Sequence, residues 1–129
     1  MSAPVDELLR AYCAAIDARK DPDGVAARYW TADGVLDNTA IGSPLVEGRA
    51  ALAENFAQMF GAMEMLDHRV SDFQVVQADE VAVQARAHVV AAGRPTGGAA
   101  FGITGEYQLE ARRTDGGWQL SRLAFTPLG

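Results

Sequence analysis

The chain changes its hydrophobic period once. From about Val5 to Met63 apolar residues recur at three- and four-residue intervals, and from His68 onward they alternate. Helices that precede a run of antiparallel strands can bury their apolar faces only against the sheet those strands form. The strand-patterned stretches are His68–Gln77, Glu80–Ala92, Ala99–Arg113 and Trp118–Thr126, with tight turns at Ala78-Asp79 and Asp115-Gly116 and a longer connection over Gly93–Gly98. Strands of this length, at about 3.3 Å per residue, must bend to stay on a small domain. Gly102 and Gly105 fall inside a strand pattern, where glycine marks a bulge or sharp bend. The expectation is an α+β fold with one domain over residues 1–129: three N-terminal helices on a strongly curved, mainly antiparallel sheet that encloses a pocket.

Within the first half, Val5, Leu9, Tyr12 and Ile16 define the buried stripe of a first helix over about residues 4–19. Asp21-Pro22 reads as an N-cap followed by proline at the first helical position, opening a short second helix that Asp33-Gly34 ends. Val35–Asn38 predicts a strand, and Thr39–Gly48 a loop with room for a second short one. Arg49–Met63, with Leu52, Phe56, Met59, Phe60 and Met63 at helical spacing, predicts a third helix with a wide apolar face.

Hydrophobic residues make up 49% of the 129, enough for a packed core and too many for a disordered chain. The net charge of −6 and the absence of a basic stripe argue against nucleic-acid binding and against anionic membranes. No apolar run reaches the roughly 20 residues of a membrane span, and the start of the chain has no secretory pattern, so cytoplasmic residence is expected. A single cysteine excludes an internal disulfide and a cysteine zinc cage. Two histidines, His68 and His88, make a histidine metal site an unfavourable reading. No phosphate loop, nucleotide fingerprint or Ser-His-Asp pattern is present, and no metal or cofactor is expected.

Several segments resemble the NTF2-like superfamily, which includes ketosteroid isomerase, scytalone dehydratase and the SnoaL-type polyketide cyclases. They are Tyr12–Gly24, Trp30–Asp37, the helix opening Gly48-Arg49-Ala50-Ala51-Leu52, and Gly105-Glu106-Tyr107 with Thr114–Leu120. That superfold hosts many activities, so the resemblance speaks for the fold more than for the reaction. It implies that Asp17 and His68 take the places of scytalone dehydratase's aspartate and histidine, while that family's second pocket histidine has no clear match. Tyr12 takes the place of the isomerase's helical tyrosine, and its base position falls on Asn38 with Asp37 beside it. The isomerase's protonated acid falls near Gly105 and is missing. A homodimer through the sheet is a further implication, helped by apolar residues that the outer face would otherwise expose.

These residue types suit proton-transfer chemistry. Imidazole titrates near neutrality and both takes and gives a proton, provided a carboxylate fixes its tautomer. Outside the resemblance, Asp17 reads as a surface carboxylate paired with Lys20 or terminating the helix, and His68 as a solvated strand-start residue. Alternation sends Asp37 and Asn38 to opposite faces: Asn38 inward would donate to a carbonyl or enolate oxygen, Asp37 inward would be a base, and both also suit a turn. Tyr12 reads as a core aromatic or as a phenol polarising a substrate oxygen. Trp30, Phe56, Met59, Phe60, Met63, Phe101 and Phe125 divide between core and pocket wall. His88 falls on the polar side of its strand, away from the pocket.

The functional expectation is a cofactor-independent dehydratase, cyclase or isomerase acting on a small apolar oxygenated molecule such as a polyketide, terpenoid or steroid-like carbonyl compound. The proposed roles are His68 for proton transfer, Asp17 as its orienter, and Asn38 or Tyr12 as oxygen donors. The alternative is a non-catalytic binding or dimerisation module, which a filled interior or separated Asp17 and His68 would favour.

Overall fold

The computed structural model describes residues 3–128. Helix α1 (Ala3–Ala18) buries Val5, Leu9, Tyr12 and Ile16, the stripe its periodicity predicts. Arg19 follows in a left-handed conformation (φ 53°), and Asp21 (φ 55°) caps α2 (Pro22–Tyr29) by accepting a hydrogen bond from the Gly24 amide at 3.1 Å.

Helix α2 stops four residues short of the expected Asp33-Gly34 stop, and strand β1 (Trp30–Asp37) begins at once. The reason lies in side chains from distant parts of the chain. Gln119 donates to the carbonyls of Ala27 and Arg28 at 3.1 and 3.2 Å, and Arg49 donates to those of Ala26 and Trp30. These partners satisfy the carbonyls that a helix end leaves open, so no glycine cap is required. A 3-10 turn (Thr39–Ile41) and the two-residue β2 (Val46–Glu47) occupy the predicted loop, and α3 covers Arg49–Ala62.

Strands β3 (Met63–Ala78), β4 (Ala82–Pro95), β5 (Phe101–Thr114) and β6 (Gly117–Pro127) form an antiparallel meander. Strand β3 starts five residues before the predicted His68, because Met63–Leu66 pair with Gly93–Pro95. Strand β1 adds to β6 in parallel, giving a six-stranded sheet in the order β2-β1-β6-β5-β4-β3. The sheet is curved and open, and the three helices pack on its inner face.

Alternation sorts that sheet cleanly. Val83, Ala85, Ala87 and Val89 of β4, and Gly105, Tyr107, Leu109 and Ala111 of β5, face inward and are buried. An aromatic cluster anchors the helices: Tyr12 meets Trp30 edge-on at 5.6 Å and Phe56 at 6.1 Å between ring centroids. Trp30 and Phe56 are fully buried, and truncating either to alanine would cost about 3–5 kcal/mol. A Cβ added at Gly105 would come within 2.4 Å of the Phe125 ring and 2.5 Å of the Thr126 carbonyl oxygen, so glycine there permits close strand packing.

Three contacts tie α1 and the residue that follows it to β3 in antiparallel order. Arg10 donates to the Val70 carbonyl at 2.9 Å, Arg19 donates to the Met63 carbonyl at 2.8 Å, and between them Asp17 meets His68. The helix is thereby held in one register along the strand, with the last pair set at the edge of the interior. Among the described residues, no helix is long and apolar enough to cross a membrane.

Candidate active site

Asp17 and His68 are 51 residues apart in sequence and in direct contact. One carboxylate oxygen lies 2.6 Å from His68 Nδ1, and the other accepts from the His68 backbone amide at 2.9 Å. The two bonds fix the strand and the ring together. A carboxylate only accepts, so in the neutral ring Nδ1 carries the proton and Nε2 the lone pair. Both side chains are mostly shielded, at 17% exposure for His68 and 23% for Asp17.

His68 borders two small neighbouring hollows, an inner and an outer lobe. The inner lobe, about 50 Å³, lies between α1, α3 and the sheet and is walled by Tyr12, Cys13, Ile16, Leu36, Met59 and Leu123. The outer lobe, about 100 Å³, is walled by Ile41, Ala91, Ile103 and Phe125 and reaches the surface beside the exposed Ile41. Asn38, His68 and Tyr107 border both lobes.

Asn38 therefore faces the interior, and Asp37 does not. Asp37 accepts from Thr39, from both hydroxyl (2.6 Å) and amide (3.1 Å), and from Arg122 at 2.6 Å. The Thr39 bonds chiefly, with Arg122, hold its carboxyl below the usual carboxylate range. Asp37 thus serves the turn and an ion pair and lines neither lobe, as strand alternation requires once Asn38 points in. The Asn38 backbone carbonyl takes the amides of Ile41 and Ser43, which sets the 3-10 turn beside the outer lobe.

The aromatic and methionine candidates divide. Met59 and Phe125 line the cavity. Trp30 and Phe56 are sealed in the core behind it, and Phe60 stacks on Phe56 at 6.2 Å without reaching either lobe. Met63 and Phe101 lie at the far end of the sheet, on either side of Gly93, and Phe101 is exposed. Met63 leaves the site because it belongs to β3 and pairs with Pro95, whereas the periodicity placed it on the helix.

Tyr107 is the polar wall residue that the sequence reading passed over. Its parity with Leu109 and Ala111 carried the signal, since those two mark the inward face of β5. Neither its hydroxyl nor the Asn38 amide has a side-chain partner among the described residues, and neither is fully buried. Burial, then the nearby Cys13 and Asp17, raises the Tyr107 phenol well above its ordinary value. Burial, then Tyr107 and Cys13, does the same for Tyr12, and the Trp30 indole lies near that phenol without reaching hydrogen-bond geometry. Both phenols thus stay protonated and available as donors. The Cys13 thiol is pushed up to about 12 by burial and then by Asp17, so it is a neutral wall group and not a nucleophile.

His88 lies on the outer face, between Ser71 and Glu106 on the neighbouring strands. That face carries a polar lattice: Gln84 bonds Glu110, Arg86 bonds Gln74, and Gln108 bonds Glu106 and Thr126. Val76 of β3 and Val90 of β4 are also exposed. Among the described residues no group of three or more metal-ligating side chains is found.

The chain was compared with known proteins. A model of the SnoaL-like domain matches residues 2–124. Among solved structures, a proposed aromatic ring hydroxylase from Novosphingobium aromaticivorans is 31% identical, with TM-score 0.91 over 97% of this chain and 87% of that one. A proposed scytalone dehydratase from the same organism is 18% identical, with TM-score 0.85 over 97% and 82%. A hexachlorocyclohexane dehydrochlorinase (LinA, type 2) is 21% identical, with TM-score 0.81 over 98% and 88%. At those two lower identities the likeness speaks for the fold alone. No match is found among curated proteins. The family model spans nearly the whole chain and the structural neighbours share its architecture: the protein belongs to the SnoaL-like domain family.

Proposed function

We propose that the protein is an acid–base enzyme that removes a proton next to a carbonyl and, in a dehydration, expels water from the adjacent carbon. The observation that carries this reading is the Asp17–His68 pair at 2.6 Å with Nε2 left to the cavity. His68 Nε2 takes the proton, and the Asp17 carboxylate stabilises the resulting imidazolium. Asn38 and the phenol of Tyr12 or Tyr107 donate to the oxygen that gains enolate charge. The imidazolium then gives its proton to the departing hydroxyl, so the C–H and C–O bonds break, a C=C bond forms and water leaves. Cyclisation and isomerisation share the first step and differ in what the enolate carbon meets. A proposed scytalone dehydratase and a dehydrochlorinase among the structural neighbours make elimination the class to test first.

The lobes, at about 50 and 100 Å³, fall well below the roughly 300 Å³ where drug-sized pockets begin. In this conformation the substrate is compact, and a steroid or folded polyketide would require the walls to open. The same small volume favours the second reading, a non-catalytic binding module. Hydrogen–deuterium exchange next to the carbonyl separates the two, because it needs only the first step. Small apolar ketones such as 3-hexanone are incubated with the protein in D2O and followed by NMR. Exchange above buffer that is lost in His68→Asn supports the enzyme. Exchange that survives the substitution removes His68 from the role, and none with any ketone leaves the binding module.

A further inference from the structure

We infer that this cavity takes a molecule whose oxygen sits on an internal carbon, with a short apolar arm in the inner lobe and a longer one in the outer lobe. The inference rests on reading the cavity as the ligand site, and it does not require turnover. Asn38, His68 and Tyr107 are walls common to two lobes of unequal size, and the inference makes them the polar waist of one site. Beyond the waist, the outer lobe is walled by Ile41, Ala91, Ile103 and Phe125 and offers no polar side chain. The inner lobe offers Cys13, Ile16, Leu36, Met59 and Leu123, with the Tyr12 phenol.

An oxygen at the waist is therefore well met. The Asn38 amide and Tyr107 hydroxyl have no side-chain partner among the described residues, so both are free to bond a ligand oxygen. A ligand with a terminal oxygen must send all its carbon into one lobe. The other lobe is then left to water at the Asn38, His68 and Tyr107 side chains, and the apolar contact its remaining walls offer a carbon chain is forgone. An internal oxygen lets both lobes fill at once. An apolar cavity of about 150 Å³ holds a benzene-sized molecule, so about six or seven heavy atoms set the scale.

The test compares two isomers on the wild-type chain, 3-hexanol and 1-hexanol, titrated against 13C-labelled methyl groups. We expect 3-hexanol to bind about tenfold more tightly, the effect of one misplaced methylene in an apolar pocket. We also expect it to shift the methyl signals of Met59 and Ile103 together. Equal affinities, a preference for 1-hexanol, or shifts confined to one lobe overturn the assignment. Met59→Trp, which fills the inner lobe, should abolish the preference. The wild-type comparison decides the matter even if that variant does not fold. Exchange into 3-hexanone, read on the same samples, keeps the two ideas apart. An isomer preference without exchange sinks catalysis alone, and His68-dependent exchange with no preference sinks the two-armed ligand alone.

Discussion

The two faces of one sheet each carry a histidine, and the surroundings of the two rings differ in every respect that matters for chemistry. On the inner face, His68 is held at ring and backbone by one carboxylate and borders an enclosed space. On the outer face, His88 sits between Ser71 and Glu106 in a lattice of amides, guanidinium groups and carboxylates that satisfy one another. The carboxylates show the same contrast. Asp17 is committed to an imidazole, whereas Asp37 and Asp33 are committed to Arg122 and Arg112. Reactivity in this molecule follows from partner and enclosure more than from residue type.

The contrast is broken most directly by exchanging the histidines' fates. His68→Asn keeps an N–H donor toward Asp17 but removes Nε2, and it should lower ketone exchange by about 10²- to 10⁴-fold. His88→Asn should leave the rate unchanged, and an equal loss in both variants, measured by NMR in D2O, would erase the distinction. Asp17→Asn comes next. An amide offers one acceptor where two are needed, so either the ring N–H or the His68 amide meets another donor. A rate loss on the order of 10²-fold is expected, together with about 1–3 kcal/mol of stability by urea unfolding. A change in rate with no change in stability would show that the backbone bond is dispensable.

Gly105→Ala sharpens the comparison at the inner face. The new methyl meets the Phe125 ring and a fixed carbonyl oxygen, so the protein should lose about 1–3 kcal/mol in urea melts. An unchanged midpoint would mean that β5 and β6 yield more readily than their spacing implies. The smallest effect belongs to the outer carboxylates. Arg112 first and then Thr31 hold the Asp33 carboxyl below its ordinary 3.8, and Thr39 with Arg122 does so for Asp37. A carboxyl with a depressed folded value contributes stability that is full above the unfolded value and is lost as pH falls through the folded one. Replacing both with asparagine should therefore flatten the decline of stability below about pH 4, and it should leave ketone exchange unaltered. A variant whose acid unfolding curve overlays the wild type would show that these ion pairs carry no pH dependence.

The sequence by itself determined the architecture. A single switch from helical to alternating period dictated helices against a meander, and the stripe through Val5, Leu9, Tyr12 and Ile16 fixed which side of α1 is buried. Strand parity also placed His88 outward. It carried the information for Tyr107 as well, although only the structure drew attention to it. Tertiary structure alone decided where α2 stops, because Arg49 and Gln119 reach its carbonyls from far along the chain. It alone decided that Asn38 rather than Asp37 faces the cavity, and that Trp30 and Phe56 are core while Met59 and Phe125 are wall. Periodicity says which face of an element is buried. Whether a buried side chain meets a neighbour or a void depends on how faces distant in sequence fit together, and no local pattern encodes that fit.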